Sequence, residues 1–173
     1  MKSLISLLML IMLLLAGCGD DRPATRFVEY DGTKLKSYVS DDVDFAIYGV
    51  SKKGNIGTNQ YLAVPQGEHL VVETYVVNNR KEPIKMSHGD VVRLVDKNGA
   101  EYATSGRAMV AWAICYKKKS SASQNVFNPG LGYMCYFTFD VPKSFDVASA
   151  SLKARAGIKG KWITIPLKVE VQK

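Results

Sequence analysis

Apolar residues alternate with polar ones along several stretches of this 173-residue chain, and no stretch after Cys18 carries a convincing helical period. The segment EHLVVETYVVN, residues 68–78, shows the alternation best, and one face of it carries Leu70, Val72, Thr74 and Val76. A period of two is that of a β-strand, in which successive side chains point to opposite faces of the sheet. The pattern therefore predicts strands that bury one face in a core.

Two later stretches repeat this alternation. Residues 133–141 align Cys135, Phe137, Phe139 and Val141 on one face, and residues 162–171 align Ile163, Ile165, Leu167, Val169 and Val171. Pro166 indicates an edge strand or a bulge, because proline has no N–H to donate to a neighbouring strand. Residues 43–50 form an earlier strand.

Turn signals separate the predicted strands. Lys97-Asn98-Gly99 lies between residues 91–95 and 101–103, and Asn-Gly is the strongest short signal for a β-hairpin. Further turns are predicted at residues 78–83, 128–132 and 157–161. The sequence thus predicts about seven to nine strands in an all-β, immunoglobulin-like sandwich. We expect one such domain, at residues 38–173.

The first 17 residues read as a targeting signal. Lys2 precedes an apolar run at residues 4–15, which is too short for a comfortable membrane span. The run ends in Leu15-Ala16-Gly17-Cys18, which resembles the lipobox of bacterial lipoproteins. This resemblance implies acylation of the Cys18 thiol by a lipid such as palmitate, with residues 18–37 as a lipidated tether. The alternative is an ordinary secretory signal in which Cys18 is incidental.

A lipid on Cys18 anchors a domain to a membrane without spanning it. Gly19 follows the cysteine in place of the aspartate that resembles an inner-membrane retention signal, although Asp20 and Asp21 come next. We expect the outer membrane, facing the periplasm, if the cell has two membranes, and otherwise the outer face of the cell membrane. Export makes nucleic acid an unlikely target despite the net charge of +7.

Cys115 and Cys135 remain once Cys18 is assigned to lipid. Two cysteines in an exported domain are best read as a disulfide. The alternative is a redox-active or metal-binding pair, which lacks the CxxC spacing and a nearby histidine.

Several segments together resemble a family of exported bacterial lipoprotein domains of unknown function. They are the strand LVVETYVVNN with its turn KEPI, the hairpin VVRLVDKNGAEYA, the NPG turn and the strand YFTFDVPKS. The family is related to secreted immunoprotective antigens, and the resemblance implies an immunoglobulin-like sandwich without catalytic residues. This chain departs from the family in a longer segment before the NPG turn, which contains Cys115.

Side chains with catalytic potential are sparse. The chain has two histidines; His69 opens a strand, and His88 lies in the turn Ser87-His88-Gly89-Asp90. A Ser/His/Asp set within one tight turn does not easily form a catalytic chain, whose members approach from different elements. Asp41, Asp42 and Asp44 favour a solvated turn, with weak Ca²⁺ binding as the alternative. We expect no enzyme activity, no cofactor and no metal.

Residues 105–130 form the longest stretch without clear alternation, and we predict a binding surface there. Met109, Trp112 and Tyr116 supply residue types that are enriched at interface cores. The run Lys117-Lys118-Lys119 adds charge that steers acidic partners. The alternative is one more core strand, with Trp112 buried.

These observations predict a non-catalytic binding module in the cell envelope. Its partners would be the membrane, through Cys18, and another envelope protein or an anionic envelope polymer. The alternative is a structural or protective envelope protein, such as an inhibitor or a shield.

Overall fold

The alternating stretches fold as strands of antiparallel sheets. The computed structural model describes residues 22–86, 88–116 and 126–172. Its strands, in chain order, are β1 (Thr25–Tyr30), β2 (Thr33–Ser40), β3 (Val43–Lys53), β4 (Glu68–Asn78), β5 (Ile84–Lys85), β6 (Val92–Val95), β7 (Glu101–Tyr102), β8 (Val126–Phe127), β9 (Gly132–Val141), β10 (Ser151–Ala154) and β11 (Ile163–Pro166). The helices are a 3-10 turn (Asn59–Tyr61), α1 (His88–Val91) and α2 (Gly106–Cys115).

Two sheets face each other. A five-stranded sheet has the order β1-β2-β3-β4-β9, and a four-stranded sheet has the order β11-β10-β6-β7. The two-residue strands β5 and β8 pair separately. The structure confirms the predicted all-β sandwich. The described residues hold more strands than the seven to nine predicted, partly because β5, β7 and β8 have only two residues each.

The main core fills the space between the two sheets. From β4 and β9 it takes the faces that alternation predicted, Leu70, Val72, Val76, Cys135, Phe137, Phe139 and Val141. From the four-stranded sheet it takes Val92, Leu94, Leu152, Ala154, Ile163 and Ile165. Burying a large apolar side chain contributes about 1.5–3 kcal/mol to the free energy of folding. The alternating strands therefore supply much of the hydrophobic stabilisation of the fold.

The hairpin at Asn98-Gly99 forms as predicted. β6 pairs antiparallel with β7, and Gly99 adopts a φ of 84°, a left-handed conformation that favours glycine. The carboxylate of Asp96 accepts hydrogen bonds from the backbone N–H groups of Asn98 (2.8 Å) and Ala100 (2.9 Å). These bonds fix the turn and the register of the pair.

The last predicted strand is shorter than its alternation suggested. β11 is an edge strand, as Pro166 indicated, and Ile163, Ile165 and Leu167 are buried. Val169 and Val171 are exposed, which corrects their assignment to the core face. β11 ends at Pro166, and one more backbone hydrogen bond, from the N–H of Leu167 to the carbonyl of Ala150 (3.3 Å), follows it.

The fold begins earlier than predicted. β1 and β2 form an antiparallel hairpin within residues 18–37, which were assigned to the tether. The turn uses left-handed backbone at Asp31 (φ 50°) and Gly32 (φ 72°). β1 is an edge strand whose side chains are mostly exposed, so its sequence lacks the apolar alternation of the central strands. Any tether therefore ends before Thr25.

Candidate binding face

The outer face of the five-stranded sheet, which points away from the main core, carries a second apolar cluster. Its buried members are Ile56, Ala63, Val71, Ala108, Ala111, Trp112, Met134 and Tyr136. Three partly buried tyrosines, Tyr30, Tyr48 and Tyr75, pack against them. The alternation of β4 and β9 produces this arrangement, because residues next to the main-core positions point outward.

The tyrosines pack against each other across neighbouring strands. The ring of Tyr30 on β1 meets that of Tyr48 on β3 edge to face, with centroids 5.2 Å apart and planes at 85°. It also meets the ring of Tyr75 on β4 at 4.6 Å and 41°. Edge-to-face and offset pairs of this kind add about 0.5–1.5 kcal/mol beyond burial.

One acidic residue, Glu73, lies on the same face, paired in register with Tyr136 of β9 and with Gly49 of β3. Burial raises the pKa of Tyr136 to about 12, and the negative charge of Glu73 contributes to the shift. Burial also raises the pKa of Tyr75, with a smaller contribution from Tyr30. The face therefore offers tyrosine hydroxyl groups, aromatic rings and one acidic side chain.

Helix α2 covers one side of this face. Ser105 caps it, because its side chain accepts a hydrogen bond from the backbone N–H of Ala108 (3.4 Å). The backbone N–H of Ser105 donates to the carbonyl of Thr138 on β9 (2.7 Å), which ties the start of the helix to the sheet edge. Alternation missed this helix because GRAMVAWAIC is apolar almost throughout and shows no period of 3.6 residues.

The predicted binding surface is corrected in part. Met109 and Trp112 are only 8% and 4% exposed, so they anchor α2 to the fold instead of lining a surface. Burial of Trp112 matches the alternative of a core element, although that element is a helix and not a strand. Tyr116 is 46% exposed. The run Lys117-Lys118-Lys119 lies outside the described residues.

Two exposed residues of α2 were not singled out in the sequence. Val110 is 56% exposed and Ile114 is 46% exposed. They are four residues apart, which places them on the same side of the helix. Tyr116 follows the row of Trp112 but is exposed at the end of the helix, and we call the three exposed residues the helix patch (Val110, Ile114, Tyr116). A helical reading of residues 106–115 would have found Val110 and Ile114, because buried Ala108 and Trp112 take the other side.

The predicted disulfide between Cys115 and Cys135 does not form in the structure, where both residues are free thiols. Cys135 faces the main core, and burial raises the pKa of its thiol to about 12. Cys115 ends α2, whose Trp112 packs on Tyr136, the next residue along β9. Adjacent residues of a strand point to opposite faces, so Cys135 is directed away from the face on which α2 lies.

The acidic cluster is largely engaged by protein donors. The carboxylate of Asp44, 2% exposed, accepts hydrogen bonds from the hydroxyl of Ser37 (2.8 Å) and from the side-chain amide of Asn79. Asp42 pairs with Arg26 at 3.1 Å. Asp41 accepts from the backbone N–H of Lys161 (2.8 Å). In the described part of the chain, no three His, Cys, Asp or Glu residues form a group that could hold a metal ion.

His69 is the histidine whose side chain the structure describes. His69 on β4 is 2% exposed, and neither ring nitrogen has a hydrogen-bond partner among the described residues. The ring of His69 is therefore buried and not solvated. His88 begins α1, and the neighbouring Ser87 lies outside the described residues. Cys18 and the predicted signal also lie outside them. Among the helices that are described, none is long and apolar enough to cross a membrane.

Comparisons with known proteins support the fold. No family model and no curated protein matches the chain. A crystal structure of a conserved hypothetical protein from Bacillus anthracis matches with a TM-score of 0.55 at 17% identity, over 85% of this chain and 99% of that one. The yjhA protein from Bacillus subtilis matches with a TM-score of 0.50 at 12% identity, over 69% of this chain and 79% of that one. At such identities the likeness shows a shared fold alone.

Proposed function

We propose that this protein is a cell-envelope lipoprotein, anchored through lipid on Cys18, whose sandwich is a non-catalytic binding module for another envelope protein. The observation that carries the binding role is the helix patch on α2. Lipobox-like Leu15-Ala16-Gly17-Cys18 and the resemblance to exported lipoprotein domains support the anchor.

A helix that is apolar on all sides is normally buried on all sides. The inward side of α2, with Ala108, Ala111 and Trp112, is buried against the outer face of the sheet. The outward side still exposes Val110 and Ile114, and Arg107 is the only charged residue of the helix. Exposed apolar residues gathered on one element are typical of a protein–protein contact.

The contacts that hold α2 on the sheet favour tight binding. Trp112 and the hydrogen bond from Ser105 to Thr138 hold the helix in place before any partner arrives. A contact surface that is already ordered loses little conformational entropy on binding. Fully burying Val110 or Ile114 contributes about 1.5–3 kcal/mol each.

Capture experiments test the binding role. The mature chain with Cys18→Ser is immobilised and exposed to solubilised envelope proteins, and any partner is identified and titrated. The double variant Val110→Ser/Ile114→Ser should lower its affinity at least tenfold while keeping the melting temperature. The matched control Val64→Ser/Val169→Ser changes two valines that are also exposed, at 65% and 47%, and should bind normally. Equal binding by the patch variant would disprove the assignment.

The anchor has a separate test. Cells that express the chain are labelled with a fatty-acid probe, and the envelope fraction is compared between the unchanged chain and Cys18→Ser. The label and the membrane association should both disappear in the variant. If deletion weakens the envelope and no partner is captured, the structural or protective role replaces the binding role.

A further inference from the structure

The anchor would hold one end of the sandwich close to the bilayer. Cys18 precedes Arg22 by four residues, and an extended chain covers at most about 14 Å over that distance. The chain is already part of the fold at Ala24, whose carbonyl accepts a hydrogen bond from the backbone N–H of Val39 (2.8 Å). Whatever surrounds Arg22 therefore lies near the membrane if Cys18 carries lipid.

The turn at residues 157–161 lies beside this point. Arg22, Pro23 and Ala24 line one side of a cleft of about 190 Å³, and Lys161 and Trp162 line the other. The turn belongs to the same end of the sheets, because Ser40, the last residue of β2, hydrogen-bonds to it.

The turn is rigid. The hydroxyl of Ser40 donates to the carbonyl of Lys161 (2.7 Å) and accepts from the backbone N–H of Ala156 (3.1 Å). It therefore links the residue before the turn to the last residue of the turn. Gly160 approaches the backbone of Ala156 so closely that a Cβ would lie 2.6 Å from its carbonyl oxygen. A side chain at position 160 would force the turn apart.

The tip of this turn exposes an apolar residue that cationic ones follow. Ile158 is 62% exposed, and the exposed side chains of Lys159 and Lys161 come one and three residues after it in sequence. Trp162 follows at 36% exposure, with the guanidinium of Arg155 4.5 Å from its ring centroid. Exposed Ile and Trp among basic residues are typical of protein segments that insert at the interface of anionic membranes.

We propose that the tether-end surface (Arg22, Ile158, Lys159, Lys161 and Trp162) docks on the anionic bilayer surface to which Cys18 is anchored. The proposal rests on the lipid anchor of the proposed function. Of the acidic residues nearby, Asp42 is paired with the cation of Arg26 (3.1 Å), which leaves Asp41, an acceptor of the N–H of Lys161, to oppose the field of the two lysines. Docking orients the sandwich on the membrane and keeps its opposite end exposed.

A chemical anchor tests this orientation without cellular acylation. The mature chain with Cys115→Ser keeps Cys18 as its reactive thiol, because Cys135 is buried. Cys18 is coupled to a maleimide lipid in phosphatidylcholine vesicles with and without phosphatidylglycerol, and quenching of tryptophan fluorescence by brominated lipid is measured. The variant Trp162→Phe identifies the part of the quenching that belongs to Trp162.

Docking predicts strong quenching of Trp162 in vesicles that contain phosphatidylglycerol, and weaker quenching at high salt. Ile158→Ser should abolish most of it, and Lys159→Gln and Lys161→Gln should each lower the ratio of docked to undocked protein about fivefold. The control Val64→Ser/Lys53→Gln, at the other end of the sheet, should change nothing. The proposal would be overturned if Trp162 were not quenched, or if the Ile158 and lysine variants were quenched as strongly as the protein without these substitutions. Loss of acylation in cells would affect only the anchor, because the coupling here is chemical.

Discussion

The ring of Tyr116 stacks on the ring of Trp112, with centroids 4.2 Å apart and planes inclined by 26°. The backbone N–H of Tyr116 also donates to the carbonyl of Trp112 (3.1 Å), which closes the last turn of α2. One partner is buried and the other is 46% exposed. The stack therefore joins the outer face of the sheet to the helix patch, and each residue should respond differently to substitution.

Trp112→Ala should lower the free energy of unfolding by about 3–5 kcal/mol, because it removes a buried aromatic side chain and leaves a cavity. Tyr116→Ala should cost much less, since its ring is half exposed, and should instead weaken partner binding. Urea denaturation of both variants measures the difference. Similar losses of stability in the two variants would contradict this division of roles.

The two thiols should differ sharply in reactivity. In the mature chain with Cys18→Ser, iodoacetamide at pH 8 should modify Cys115 and spare Cys135. The pKa of Cys135 is raised to about 12 by burial, so almost no thiolate is present at that pH. Intact mass should show one adduct on the native protein and two after denaturation. If protein purified from the envelope takes up no label until it is reduced, the prediction of a Cys115–Cys135 disulfide would be supported.

Asp44→Ala should destabilise the fold by about 1–3 kcal/mol, because the buried hydroxyl of Ser37 loses its acceptor. The matched control is Asp42→Ala, which breaks an ion pair whose side chains are 47% and 67% exposed. An exposed pair contributes about 0–1 kcal/mol. Thermal melts with and without calcium complete the test, and a rise in melting temperature with calcium would revive the cation-binding alternative.

Stability should decline at alkaline pH. The pKa of Tyr136 is about 12 in the fold, against 10.0 for an ordinary tyrosine. Between these values the unfolded chain has released a proton that the folded chain retains, so rising pH favours unfolding. The contribution of Tyr136 is complete below pH 10 and is lost as pH rises from 10 towards 12. Denaturation midpoints across this range should fall less steeply for Tyr136→Phe; an unchanged slope would contradict the shift.

The sequence predictions are accurate where a strand buries its residues in an alternating pattern, and they fail where burial leaves no such pattern. β4 is a central strand and β9 is an edge strand, but both bury residues on their two faces, and their alternation predicted their bounds and their core faces well. β1 is an exposed edge strand, so nothing in its burial distinguished it from a tether. α2 is apolar on both sides, which removed the helical period that would have revealed it.

The candidate site was predicted by residue type but not by geometry. Aromatic composition directed attention to residues 105–130, yet it did not separate buried Trp112 from exposed Tyr116. The prediction of a disulfide came from counting cysteines. A count carries no information about the face of the sheet that each side chain occupies. The tyrosines on the outer face come from β1, β3, β4 and β9, and only the register of the sheet brings them together.

If Cys18 carries lipid, as proposed above, the early start of β1 limits how far the protein can reach from the membrane. With lipid on Cys18, at most about 14 Å of chain precedes Arg22. The longest of the described strands, β3 and β4, have 11 residues each and therefore span about 36 Å. The sandwich can thus reach a radius of about 50 Å from the lipid on Cys18. The folded domain sets this radius, and not a long flexible linker. Such a short radius selects partners that sit in the same membrane or come to it.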